Sequence, residues 1–121
     1  MYKRLKNIPS IFLVSASIIL LAACSPHPAA GTWGSGSDNE AHFTKIVVHF
    51  EPRAEIYTSD KNSTDLHCSW SASSKKSIKL ECLGSDDQKI PDIYQLNITN
   101  KNSSELIFKG KIIASFTRLE E

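Results

Sequence analysis

The chain has 121 residues, with 14 Lys and Arg against 13 Asp and Glu, a formal charge of +1. That length holds one small domain, near the lower size at which a hydrophobic core supports itself, which excludes a two-domain enzyme and disfavours a dinucleotide-cofactor fold. The charge balance argues against nucleic acid as a partner, because there is no basic excess to meet phosphates.

The first six residues hold Lys3, Arg4 and Lys6, and residues 8–23 are apolar except for Pro9, Ser10, Ser15 and Ser17. A membrane helix needs about 20 mostly apolar residues. A charged start followed by a short apolar stretch instead reads as a secretory signal. The stretch closes on Leu21-Ala22-Ala23-Cys24. These residues resemble the lipobox of bacterial lipoproteins, with a leucine three places before the cysteine and small residues between. The bland alternative is an ordinary signal peptide or an anchor helix with a chance cysteine. The resemblance implies cleavage before Cys24, a diacylglyceryl group on its thiol and an acyl chain on the new amine. Each buried CH₂ contributes about 0.8 kcal/mol, so two or three chains anchor permanently where one does not. Ser25 stands where an aspartate marks inner-membrane retention in the enterobacterial pattern, so the resemblance implies the outer membrane, on its periplasmic side. The expected organisation is a signal peptide over 1–23, a lipidated tether over 24–30 and a folded domain over 31–121. The tether is rich in Pro and Ala and is expected to be extended, with His27 solvated. Beyond the lipid on Cys24, no cofactor is expected.

From Gly31 onward no amphipathic helix is legible. Short runs rich in Val, Ile, Thr, Phe and Tyr alternate with Gly, Ser, Asn and Asp clusters, which is the signature of strands and turns. The candidates are 32–36, 42–50, 53–59, 65–72, 77–83, 93–100, 105–109 and 112–119. Their short connections predict sequential antiparallel pairing. Period-2 alternation supports this: Leu66, Cys68, Trp70 and Ala72 share one face, as do Ile78, Leu80 and Cys82, and Tyr94, Leu96 and Ile98. The run at 42–50 is imperfect, since Phe43 and Val47 fall opposite Ile46, Val48 and Phe50.

A hairpin turning through residues 73–77 pairs Ala72 with Ile78, Trp70 with Leu80 and Cys68 with Cys82. The two cysteines then lie opposite each other on the inner face, within disulfide reach, and an exported chain meets an oxidising compartment. A loop of about 15 residues closed in this way is stabilised by about 3 kcal/mol in the chain-entropy argument. The alternative is a pair of buried free thiols. Zinc is disfavoured because no CxxC or HxxxH spacing supplies further ligands.

Eight short strands in an open sheet would leave exposed edges, which barrel closure removes. Gly31-Thr32-Trp33 resembles the Gly-X-Trp signature that opens lipocalins and related calycin barrels, and Arg118 stands where those families place an arginine across the tryptophan. The expected fold is therefore all-β, a small eight-stranded antiparallel up-and-down barrel of calycin or lipocalin type following a cleaved lipoprotein signal peptide. The chain is shorter than lipocalins and is more similar to small Gram-negative lipoproteins with a Gly-X-Trp strand and a two-cysteine hairpin. That resemblance implies no activity. An inward set of Trp33, Ile46, Val48, Phe50, Ile56, Leu66, Trp70, Ile78, Leu80, Tyr94, Leu96, Ile98, Leu106, Phe108, Ile112, Ala114 and Phe116 predicts a solid interior.

In a meander, alternate loops share one end. The end away from the lipid is expected to collect Asp38, Glu40, Asp60, Asp65, Asp86, Asp87 and Asp92 against Lys61 and Lys89, and the lipid-bearing end Glu51, Arg53, Lys75, Lys76 and Lys101, which gives a basic end toward the membrane, where cations meet an anionic leaflet favourably. No nucleophile elbow, P-loop, HExxH or calcium loop is present, and no metal site is expected from His42, His49 and His67. The expected function is that of a non-enzymatic, outer-membrane-anchored lipoprotein that binds a protein or envelope component through its acidic loops, with a cationic periplasmic protein as the partner class. Such an inhibitor-like or immunity-like role resembles that of periplasmic lysozyme-inhibitor lipoproteins, but their Ser-Gly-X-X-Tyr loop is missing here. The alternatives are a lipocalin-like carrier of a small hydrophobic ligand and a passive structural component of the envelope.

Overall fold

A computed structural model describes residues 26–35, 39–59, 64–85 and 87–119. Among them are eight strands: β1 (Gly31–Gly34), β2 (Phe43–Val48), β3 (Arg53–Thr58), β4 (Leu66–Ser74), β5 (Ser77–Leu83), β6 (Asp92–Asn100), β7 (Ser103–Phe108) and β8 (Lys111–Arg118). Each pairs antiparallel with its sequence neighbours, and β8 returns to β1, so the sheet closes into an up-and-down barrel in chain order. Below, the end at which the chain enters β1 is the base and the opposite end is the rim.

Local sequence sets the hairpins. Lys109 and Gly110 form the two-residue turn between β7 and β8, both with positive φ (52° and 79°). That is the conformation matching the twist of the flanking strands. The turn between β4 and β5 is tighter than the sequence implied: the strands run on to Ser74 and from Ser77, leaving Lys75 and Lys76 at the tip. The register of this hairpin is the expected one, with Cys68 opposite Cys82, Trp70 opposite Leu80 and Ala72 opposite Ile78. The cysteines are joined as a disulfide, with Cα atoms 4.1 Å apart, and both are buried.

Trp33, Ile46, Ala54, Ile56, Ile78, Leu80, Leu96 and Leu106 are fully buried. They come from six strands and fill the barrel from within. Alternation fails at three places, each with a structural cause. Phe50 is 81% exposed rather than inward, because β2 ends at Val48 and the chain turns, with the His49 amide donating to the Arg53 carbonyl. Ile112 is exposed and Ile113 packs against the core instead. The register between β7 and β8 shifts after Leu106, from Leu106 opposite Ala114 to Ile107 opposite Ile112, so one extra residue exchanges the faces. A similar shift between Phe43 and Lys45 against β3 turns Phe43 into the core. Trp70 is only half-buried and belongs to the base, where its indole donates to the His49 and Glu51 carbonyls at 3.1 and 2.8 Å.

Replacing both Cys68 and Cys82 with alanine is expected to lower the unfolding free energy by about 3 kcal/mol, read as a shift in the denaturant midpoint. A change below about 1 kcal/mol would show that the crosslink does not restrain the unfolded chain.

Candidate functional site

The base is built around Trp33 and Arg118. The residues are register partners across the β1–β8 seam, and the guanidinium carbon lies 4.2 Å from the centre of the Trp33 ring, a cation–π distance. The same guanidinium donates to three carbonyls: Nη1 to Ala30 at 2.9 Å, Nη2 to Pro28 at 2.6 Å and Nε to Lys101 at 3.1 Å. Gly31 explains its own place in the Gly-X-Trp signature. Its φ is +130°, and a β-carbon there would sit 2.8 Å from the Arg118 Nη1, so only glycine admits the arginine without strain.

Residues 26–30 are not an extended tether. They fold across the base as a plug. Ala29 is fully buried, and its carbonyl accepts the Trp33 indole N–H at 3.0 Å. His27 is held rather than solvated: its Nε2 lies 2.8 Å from the Ser74 carbonyl, its Nδ1 accepts the Ala29 amide at 3.0 Å, and its ring lies 6.0 Å from that of Trp70.

The rim is closed by aromatic side chains. Tyr94 stacks on Phe108 with ring centres 4.7 Å apart, and Phe43 meets the Tyr94 edge at 6.1 Å. Burial, and then the Asp92 carboxylate, push the Tyr94 phenol above its ordinary value. Of the four expected acidic residues that are described, three make separate contacts. Glu40 Oε2 lies 3.6 Å from Lys111 Nζ, Asp65 accepts the Thr58 amide at 3.1 Å, Asp92 lies 3.5 Å from the Gln88 side-chain nitrogen, and Asp87 is exposed. The tight β7–β8 turn also brings Lys109 and Lys111 to this end, so the rim is more mixed in charge than its long loops alone suggest. Asp38, Asp60 and Asp86, like Cys24, lie outside the described residues. Among the described residues no three His, Cys, Asp or Glu side chains gather as a metal site. His49 pairs with Glu55 at 2.8 Å on the outer wall.

Several depressions open on the outer surface of the described residues, two of them reaching the rim. One, at the rim, is lined by Asp65, His67, Leu83, Gly84 and Gln88, among others. The other, of about 550 Å³, runs along the wall past Ile93, Gln95, Ile107 and Phe108. The rim depression also carries the hydroxyls of Ser85 and of Thr64, the latter donating to the Gly84 carbonyl. No protein-family model matches the chain, and neither does any curated protein or solved structure. Among the described residues no helix is long and apolar enough to cross a membrane.

Arg118→Ala is expected to cost about 3 kcal/mol, from the lost ring contact and the carbonyls left without their charged donor. Arg118→Lys should recover less than half, because an ammonium cannot stack and fork at once. Hydrogen exchange at residues 28–33 is expected to rise in both, and unchanged protection there would separate the arginine from closure. Tyr94 supplies a pH test. A folded-state pKa raised above the unfolded value of about 10 gives a contribution that is complete below that value and is lost as pH rises through the folded pKa. Alkaline unfolding should therefore move to higher pH in Tyr94→Phe, and phenolate absorbance should titrate at lower pH in Asp92→Asn.

Proposed function

We propose that this chain is a non-enzymatic envelope lipoprotein, anchored through acyl chains on Cys24 to the periplasmic side of the outer membrane, whose barrel is a binding module for another protein or envelope component. The observation that carries the reading is the filled interior. Trp33, Ile46, Ile56, Ile78, Leu80, Leu96 and Leu106 occupy the space in which a carrier of this fold type would hold a ligand, and aromatic side chains close the rim above them. Recognition then belongs to the outer surface. This argues against the lipocalin-like carrier.

The base is taken up by its own closure and lies next to the anchor. The rim stands furthest from the membrane. Its loops carry Glu40, Asp65, Asp87 and Asp92 among the described residues, and Asp38, Asp60 and Asp86 in the neighbouring sequence. A cationic protein surface is the partner this set favours, in the manner of an inhibitor or immunity protein. Lys89, Lys109 and Lys111 at the same end restrict how such a surface can approach, which favours a shaped contact over general attraction of any basic protein.

Crosslinking in intact cells, with Cys24→Ala as the unanchored control, tests the reading. A discrete protein should be captured by the anchored form, released as salt rises and captured several-fold less by a Glu40→Lys, Asp87→Lys double variant. No capture at low salt, or capture indifferent to both changes, would remove the rim as the binding surface. Mass spectrometry of the mature protein tests the anchor independently, since acyl adducts on Cys24 are required.

A further inference from the structure

The anchor and the folded base are too close together for the barrel to stand away from a bilayer. His27 is pinned to the β4–β5 hairpin by its contact with the Ser74 carbonyl at 2.8 Å, and residues 28–30 are pinned by Arg118 and Trp33. Cys24 is three residues before His27. Three residues span at most about 11 Å when fully extended, and one headgroup layer is about 5–8 Å deep. A chain acylated at Cys24 therefore has its base at or within a few ångströms of the headgroups.

The surface found there suits that position. Topology brings the β2–β3, β4–β5 and β6–β7 connections to the base together with the entry to β1. Phe50 projects from the first of these connections, 81% exposed. The same end carries Arg53 on that connection, Lys75 and Lys76 at the second tip and Lys101 at the third, across the mouth of the barrel, all exposed. One acidic group, Glu51, lies among them, with its carboxylate 3.9 Å from the Arg53 guanidinium; Glu120 and Glu121 follow Leu119 in sequence and lie outside the described residues. An exposed aromatic ring at an end that also carries three exposed lysines has no role in the core. It fits a boundary between acyl chains and anionic headgroups, where the ring enters the apolar layer and each nearby cation contributes about 1 kcal/mol.

We propose that the base is a membrane seat: Phe50 inserts at the interface and Lys75, Lys76 and Lys101 lie against phosphates of an anionic phospholipid surface, so that the barrel axis stands upright and the rim faces away. The proposal deepens the anchored reading and rests on it, while its evidence is the pinned 27–30 segment and the make-up of the base. The seat makes two attachments, lipid and protein face, of what the sequence offers as one.

The test uses mature, acylated protein reconstituted into phosphatidylethanolamine–phosphatidylglycerol vesicles containing lipids brominated on their acyl chains. Phe50→Trp and Ile90→Trp each add one indole, at the base and at an equally exposed rim position, and are read as differences from the parent fluorescence. The indole at 50 should be quenched at least several-fold more than that at 90, and a Lys75→Glu, Lys76→Glu, Lys101→Glu background should reduce the quenching at 50 by at least half. Equal quenching at the two positions, or more at 90, overturns the seat even when the protein floats with the vesicles and carries acyl adducts. Absence of acyl adducts overturns the anchor instead. In that case the seat survives only if unacylated protein binds the same vesicles and is quenched at 50, and failure of that binding overturns both.

Discussion

The barrel depends on one guanidinium. Adjacent strands elsewhere in the sheet pair over four to seven positions, but β1 and β8 share only two, Trp33 with Arg118 and Gly34 with Thr117. A seam that short supplies few ladder hydrogen bonds to hold a closed cylinder. Arg118 compensates by acting in three directions at once. Its face covers Trp33, its fork binds the carbonyls of Pro28 and Ala30, and its Nε reaches Lys101 on the β6–β7 turn. Planarity and a permanent charge make this possible in arginine and in no other side chain. Gly31 follows from the same constraint, since the arginine occupies the place of its side chain.

Closure of the base also explains why the chain begins its fold before its first strand. An eight-stranded barrel has two open mouths, and each must be sealed if the core is to stay dry. The rim is sealed by Phe43, Tyr94 and Phe108. The base is sealed by the backbone of residues 28–30, whose polar groups are met by Arg118, His27 and the Trp33 indole. Ala29 is therefore part of the core and its neighbours cover it, although their composition is that of a linker. Two consequences follow: the described interior is lined by buried bulky side chains, and only two residues separate Cys24 from the held His27. The disulfide acts at a different level. It joins strands that are already neighbours in a hairpin, so it restrains the unfolded chain without bracing the seam.

The division of the molecule into two unlike ends is a product of meander topology. Alternate connections share an end whatever their sequence, so charge placed on every second turn accumulates. Lys75, Lys76 and Lys101 gather in this way at the base, the end that also carries Phe50. At the rim, Asp87, Asp92 and Glu40 are accompanied by Lys109 and Lys111, because a two-residue turn between β7 and β8 leaves the lysines nowhere else to be.

Alternation of apolar and polar residues, the turn residues and the absence of any helical period were enough to define an all-β chain, its eight strands and the pairing of Cys68 with Cys82, because a hairpin register is a local property. The Gly-X-Trp and Arg118 pair was legible only as a resemblance. Phe43, Phe50 and Ile112 fall on the face opposite to the expected one because a strand end and a one-residue register shift exchange the two faces, and no period in the sequence announces where the neighbouring strand will slip. His27 and Ala29 were read as solvent-exposed tether because proline and alanine carry no periodic signal. His27 is held by the Ser74 carbonyl 47 residues on and Ala29 lies between Pro28 and Ala30, which Arg118 fixes from some 90 residues away, and contacts across such separations exist only once the barrel has closed.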